Sequence, residues 1–421
     1  MDQGMIAIVI IAVMMLFFIL QKFPIAITAM LAAISMAAFD LIEIRTILYQ
    51  FGTNSIFSVL GMMIIGGTLF ETGLAQKLGN ILLKQHKPKL FAAILLIVTT
   101  LFSSFTSNAM TTAMFMPVVA GIAARSNGEI TKKNTFMLIG IGATLGGCMM
   151  LTGSPSQHLI IQNLLIQNGC ETMGFFYGVK GTLCILAVVI LYFWLIGCKI
   201  EEKVFDFPEV PNDSGFVSKE LTGGNIRKMV MSGCIMIITV LLVIFNIAST
   251  GESTFIGAMA CILTGCIDFE TAIKKIDLKV IMLLGALFAV SEGFNNSGAG
   301  EICTNAIFAV FGNHVSPFLL YAVVILVSVI LTNLIDNLAA EMLIAPIALQ
   351  IALSTGINPA MMLFSVLMGC NIAFATPIAA PCITMTLAAG YRFTDYVKVG
   401  GPLAIAAYFA VIALFPVLYG F

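Results

Sequence analysis

Apolar residues run along nearly the whole chain in stretches of bilayer-crossing length, and short polar clusters divide them. A helix needs about 20 apolar residues to span the hydrocarbon. Full crossings are expected near 5–20, 24–40, 55–75, 134–165, 173–197, 229–247, 253–270, 280–297, 358–390 and 400–420. Two further apolar segments, 90–124 and 317–353, are broken in the middle by a polar pair. The first pair is Ser107-Asn108 and the second is Asp336-Asn337, each 229 residues after its counterpart. Each asparagine stands nine residues before a proline, Pro117 or Pro346. An asparagine at membrane depth is costly unless something bonds it. Two at matched positions suggest one binding site built from two halves.

The placement of Lys and Arg orients these segments, because positive charge collects on the cytoplasmic side. Lys77, Lys84, Lys87 and Lys89 precede the first broken segment, and Arg125, Lys132 and Lys133 follow it. It therefore enters from the inside, turns at Ser107-Asn108 and returns. The second has no basic residue in 296–316 before it or in Ser354–Asn358 after it, so it enters and leaves from the outside. Lys199, Lys203, Lys219, Arg227 and Lys228 fall in one inside linker, Lys274, Lys275 and Lys279 in another, and Arg392 and Lys398 in a third. With Lys22, 18 of the 20 basic residues lie inside, Arg45 and Lys180 excepted. The expected fold is an all-α polytopic membrane protein with both termini outside. Each half holds five spans and one re-entrant hairpin, and five being odd, the second half is inverted. Inverted repeats with interrupted helices are a signature of secondary transporters.

Composition narrows the picture further. The chain of 421 residues is 60% hydrophobic and only 10% charged, against about 25% charged in soluble domains. A net charge of −1 offers no basic surface for nucleic acid. The start, MDQGMIAIVI, has no basic region before its apolar run and reads as a first span rather than a cleaved signal. The ten cysteines are scattered without a C-x-x-C and read as small packing residues. His86, His158 and His314 lie too far apart for zinc-type spacing. No nucleophile–base pair suggests an enzyme. GIGATLGG lacks nucleotide-loop spacing and no Walker-type G-K-[ST] occurs, which argues against an ATP-driven pump.

A second interruption follows each hairpin. The first runs from Gly146 through Gly147, Thr152 and Gly153 to Pro155; the second runs from Asn371 through Thr376, Pro377 and Ala380 to Pro381. Glycine and proline end regular helix. Such breaks free carbonyls that suit sodium and N–H groups that suit anions. One break in a span is commonly a packing kink; four in two matched pairs point to a site.

The pattern S-N at a hairpin tip, then G-G…T-G-x-P, a second hairpin and T-P-x-x-x-P, resembles the divalent anion/sodium symporter family of the ion transporter superfamily, over about residues 50–420. The resemblance implies an elevator mechanism, a homodimer in the plasma (inner) membrane of a bacterium, and sodium-coupled import of di- or tricarboxylates or sulfate. It implies a scaffold from 1–88 and 229–315, a transport part from 89–197 and 316–421, and a cytoplasmic linker at 198–228. It places substrate at Asn108, Thr111, Asn337, Thr152, Thr376 and Pro377. It places sodium at Ser107, Asn108, Gly147, Gly153, Asp336, Asn337 and Ala380, with no other cofactor. The family motif is S-N-T in both hairpins, whereas this chain has Ala109 and Leu338 for the threonines and Asp336 for the second serine. The D-N form resembles the arsenite-efflux and sodium/proton-antiporter branches, so an antiporter or oxyanion exporter stands as the alternative.

Asp336 is expected either to bind a cation or proton or to cap the second hairpin arm through free N–H groups. Glu341, one turn on, is expected either to be a second titratable group or to face water in an outer vestibule. His158 is a third candidate for proton coupling. Glu71 and Glu292, near span ends, are expected to be solvated.

Overall fold

In the computed structural model the described residues are all but 1, 21, 75–76, 78–86, 125, 127, 208–225, 246, 301, 303–315 and 378. Lys84, Arg125 and Lys219, used above for orientation, lie outside them, as do His86, His314 and most of the linker. Among the described residues the regular structure is entirely helical.

Among the described residues each half holds nine helical elements, those of the first being α1 (Gln3–Leu20), α2 (Ile25–Ala38), α3 (Ile44–Gln50), α4 (Asn54–Glu71), α5 (Pro88–Ser103), α6 (Asn108–Ala123), α7 (Phe136–Gly147), α8 (Pro155–Gln167) and α9 (Tyr177–Val204, with a π turn at Phe193–Gly197). Nine counterparts follow in the same order: α10 (Ile226–Ile244), α11 (Thr250–Leu263), α12 (Phe269–Lys274), α13 (Leu278–Asn296), α14 (Pro317–Thr332), α15 (Asn337–Thr355), α16 (Pro359–Asn371), α17 (Pro381–Met385, extended by a 3-10 turn to Ala389) and α18 (Phe393–Tyr419). The hairpins match most closely. α5 and α14 are both 16 residues long, and both begin with proline, where a missing N–H costs nothing. The polar pairs sit at the starts of α6 and α15, as the sequence pattern predicts.

Some expected crossings differ from simple helices. Those at 134–165 and 358–390 are each a helix, a break and a second helix. The short helices α3 and α12 were not anticipated. Among the described residues six helices are long and apolar enough to cross a bilayer, and α15, expected only as a hairpin arm, is one of them. It reaches 19 residues because nothing stops it before Gly356, which ends it in a left-handed conformation.

Packing repeats the duplication. α4 lies along α11, and α13 lies along α2. In each half the first hairpin arm packs on the helix before the break, α5 on α7 and α14 on α16. The second arms cross over between halves: α6 packs on α17, and α15 packs on α8. This exchange sets the second arm of each hairpin beside the helix that follows the break of the other half.

Candidate functional site

The two hairpin tips are held by matching hydrogen bonds. Ser103 Oγ lies 2.9 Å from Asn108 Oδ1 and donates to the Ala143 carbonyl at 2.7 Å. At the equivalent place in the second half, Thr332 Oγ1 lies 2.8 Å from the Asn337 amide and donates to the Cys370 carbonyl. The break threonines repeat the pattern. Thr152 Oγ1 donates to Ser104 O at 2.7 Å, and Thr376 Oγ1 donates to Asn333 O at 2.8 Å. Each break is thus fastened to the turn of its own hairpin, so irregular backbone here is buried in protein as membrane depth requires.

Both residues preceding the asparagines cap the second arms. Ser107 Oγ accepts from Met110 N at 3.2 Å. Asp336 Oδ1 accepts from Leu338 N at 3.0 Å and Ala339 N at 3.4 Å. Capping satisfies N–H groups that the first helical turn leaves open.

A cavity of about 1110 Å³ lies between these tips and the helices α2 and α4. Ser107, Asn108, Asp336 and Asn337 line it together with Thr152, Gly153 and Ala380. The starts of α8 and α17, at Pro155 and Pro381, also face it. The structure therefore brings together the first and second hairpin tips and both breaks, more than 200 residues apart in sequence.

Other candidates sit behind this surface. Thr111 is buried and its hydroxyl lies 2.7 Å from that of Thr106. Gly147 is packed beneath the Asn108 amide and the Ser154 hydroxyl, where a Cβ would collide with both. Thr376 is committed to Asn333 O, and the Pro377 carbonyl accepts from Thr384 Oγ1 at 2.5 Å. His158 is buried with Nδ1 3.2 Å from Ser154 O. None of these five is among the residues lining the cavity.

Glu341 requires a correction. It does not face vestibule water; it is 0% exposed, and Oε2 accepts from Gln157 Nε2 at 2.7 Å. The crossover of α15 onto α8 encloses it. Glu71 is exposed but not free, since it pairs with Lys275 at 2.5 Å, and Glu292 accepts from Gln50 Nε2 at 2.8 Å.

The sequence pattern did not reveal Gln157, Ser154, Lys275, Asp277 or Lys279, all of which line the cavity. Lys275 lays its stem against Gly67, carries Nζ 5.4 Å from the Phe70 ring centre, and reaches Glu71. Ser103 and Asn333, behind the tips, were missed as well, and Asn371 was read only as the start of the second break. Ser103 and Thr332 share the 229-residue offset of the tips, so extending the repeat by a few residues would have found them.

The geometry fits a protein that holds a small solute between two symmetric loops. A family model described as citrate transporter matches residues 15–362. The chain belongs to the citrate transporter family. An uncharacterized transporter of Synechocystis is 32% identical over 203 residues, covering 47% of this chain and 32% of that protein. The chain thus spans about a third of that relative's length. The sodium-dependent dicarboxylate transporter SdcS of Staphylococcus saprophyticus is 22% identical over 422 residues, 90% of this chain and 79% of that protein. The solved YdaH transporter of Alcanivorax borkumensis superposes with a TM-score of 0.66 at 14% identity, covering 89% of this chain and 87% of the other, which establishes likeness of fold. This citrate transporter family member is an integral, multi-pass membrane protein and not an enzyme.

Proposed function

We propose that this protein is a secondary active transporter that imports a small organic anion, a di- or tricarboxylate, or sulfate, driven by sodium. The observation that carries this reading is the single cavity walled by both hairpin tips and both helix breaks. The Asn108 and Asn337 amides would hold carboxylate oxygens, with Thr152 beside them. The N–H groups at the starts of α8 and α17 favour negative charge. Ser107, Asp336, Gly153, Ala380 and the neighbouring carbonyls supply only oxygen ligands, the kind a hard cation takes. The sodium-dependent dicarboxylate relative supports the same assignment.

The cavity also borders Pro24, Lys275, Asp277 and Lys279, in connections that the charge pattern assigns to the cytoplasmic side. This supports an inward-open state. In an elevator cycle, α5–α9 and α14–α18 would move against α1–α4 and α10–α13, with a homodimer formed through the latter. The bacterial plasma membrane is the natural location for such an importer.

Asp336 in the cavity wall favours a second reading, a sodium/proton antiporter or oxyanion exporter. A thermal-shift screen of the purified protein against succinate, citrate, sulfate, arsenite, sodium and lithium separates them, because a ligand that binds the native state raises the melting temperature. Stabilisation by a carboxylate or sulfate that strengthens with sodium is expected. Stabilisation by arsenite or sodium alone, with no anion response at any sodium level, would sink the importer reading.

A further inference from the structure

The crossover contacts are symmetric in backbone but not in chemistry. Aligning the prolines that open α8 and α17 sets Gln157 opposite Ile383, and the hairpin offset sets Glu341 opposite Thr112. On one side of the molecule, where α15 meets α8, a polar pair forms: Gln157 Nε2 donates to Glu341 Oε2 at 2.7 Å. On the other, where α6 meets α17, position 383 is apolar and Thr112 Oγ1, although buried, has no hydrogen-bond partner among the described residues.

Gln157 does more than meet Glu341. Its Oε1 accepts from Asn371 Nδ2 at 3.1 Å, and Asn371 Oδ1 lies 3.3 Å from the Asn337 side-chain amide. Asn371 and Glu341 are both 0% exposed, whereas Gln157 lines the cavity. A continuous chain of side chains therefore runs from the first-half broken helix α8, through α16, to the second hairpin tip. Gln157 stands three residues after Ser154, whose Oγ lies 3.4 Å from Asn108 Nδ2 at the first tip. Polar networks inside a low-dielectric core hold their members in fixed orientations.

We propose that Glu341 is a positioning residue: it anchors the Gln157 amide so that the two half-sites respond to ligand as one unit. Glu341 is not among the residues lining the cavity; it acts by holding Gln157 with the face that accepts from Asn371. Breaking the anchor frees the Gln157 amide to turn, Asn371 loses its acceptor, and Asn337 is no longer set by events at Asn108. Coupling between two ligands is reciprocal, so the loss is read equally as weaker anion binding and as a flatter dependence of that binding on sodium. This inference rests on the proposed anion-and-sodium function.

The test uses full-length purified protein, with succinate and citrate as probes, and follows the ligand-induced melting shift across a sodium series. Glu341→Gln keeps an acceptor oxygen and should bind within about fivefold of wild type, below the usual range of coupling effects. Glu341→Leu should lose about tenfold in affinity and most of the sodium dependence. Gln157→Glu, which sets two carboxyl groups face to face, should be impaired similarly. The double exchange Gln157→Glu with Glu341→Gln restores a donor–acceptor pair, with residue 157 still accepting from Asn371, and should recover both affinity and sodium dependence. A side chain that merely fills the core would lower the melting temperature of the unliganded protein and leave sodium dependence unchanged.

Wild-type sodium dependence in Glu341→Leu would overturn the proposal, as would a double exchange no better than Gln157→Glu. If Glu341→Leu does not fold, the exchange pair alone decides. Loss in Glu341→Gln as large as in Gln157→Glu would also overturn it, by showing that the carboxyl group itself is needed. A wild type that neither probe stabilises at any sodium level would instead sink the anion-transport reading, and the inference with it.

Discussion

At the scale of single residues, Asp336 has the capping role that the sequence offered as one alternative, and its place in the cavity wall leaves the other, cation or proton binding, to be tested. It caps α15 through Leu338 N and Ala339 N while lining the cavity. The roles separate by substitution. Asp336→Ala removes the cap and should cost about 1 kcal/mol, seen as a lower melting temperature of the purified protein. Asp336→Ser reproduces the Ser107 cap of the other half, so stability should hold while the cation dependence of uptake into proteoliposomes changes. An unchanged sodium response in Asp336→Ser would limit this residue to capping. The four tip residues were legible because polar groups in an apolar run stand out. Gln157 and Asn371 were not, because their meaning lies in partners 184 and 214 positions away. The water-facing alternative for Glu341 failed for a related reason. Its helical position gives its face, but only the crossover of α15 onto α8 determines that this face is closed to water.

At the scale of elements, the breaks depend on close approach by the second helix after each of them, α9 and α18. A Cβ on Gly178 of α9 would strike the Cys148 carbonyl of the first break, and a Cβ on Gly400 of α18 would strike the Phe374 carbonyl of the second. Both carbonyls belong to backbone that no helix stabilises, so a push there is transmitted to the binding surface. Gly400→Ala should therefore lower uptake roughly 10-fold or more, since displacements of about 1 Å in a site carry penalties of that order or larger. Gly401→Ala is the control, because a Cβ there meets nothing within 4 Å. Equal uptake by the two variants at matched membrane abundance would refute the argument. The sequence announced these breaks through Gly146-Gly147 and the Thr-Pro run. It gave no sign of the glycines that accommodate them, which look like any other small residues in an apolar helix.

At the scale of the whole molecule, the duplication was legible because the hairpins keep one offset, whereas the short helices α3 and α12 were hidden inside longer apolar stretches. The seam between α4 and the first hairpin offers a test of relative movement. A Cβ on Gly66 would lie 4.0 Å from Thr106 Cβ, within the roughly 3.5–4.5 Å that a disulfide spans. In a background lacking the ten native cysteines, Gly66→Cys with Thr106→Cys should cross-link on oxidation, stop uptake, and release it on reduction. Full transport by the cross-linked protein would exclude sliding along this seam. The cavity border holds one more consequence. Lys275 faces the opening with its charge already matched by Glu71. A bare ammonium at that position would retain a departing anion as a counterion. Because Lys275 is neutralised in advance, it would offer a solute that has let go of the hairpin tips less attraction than an unpaired ammonium.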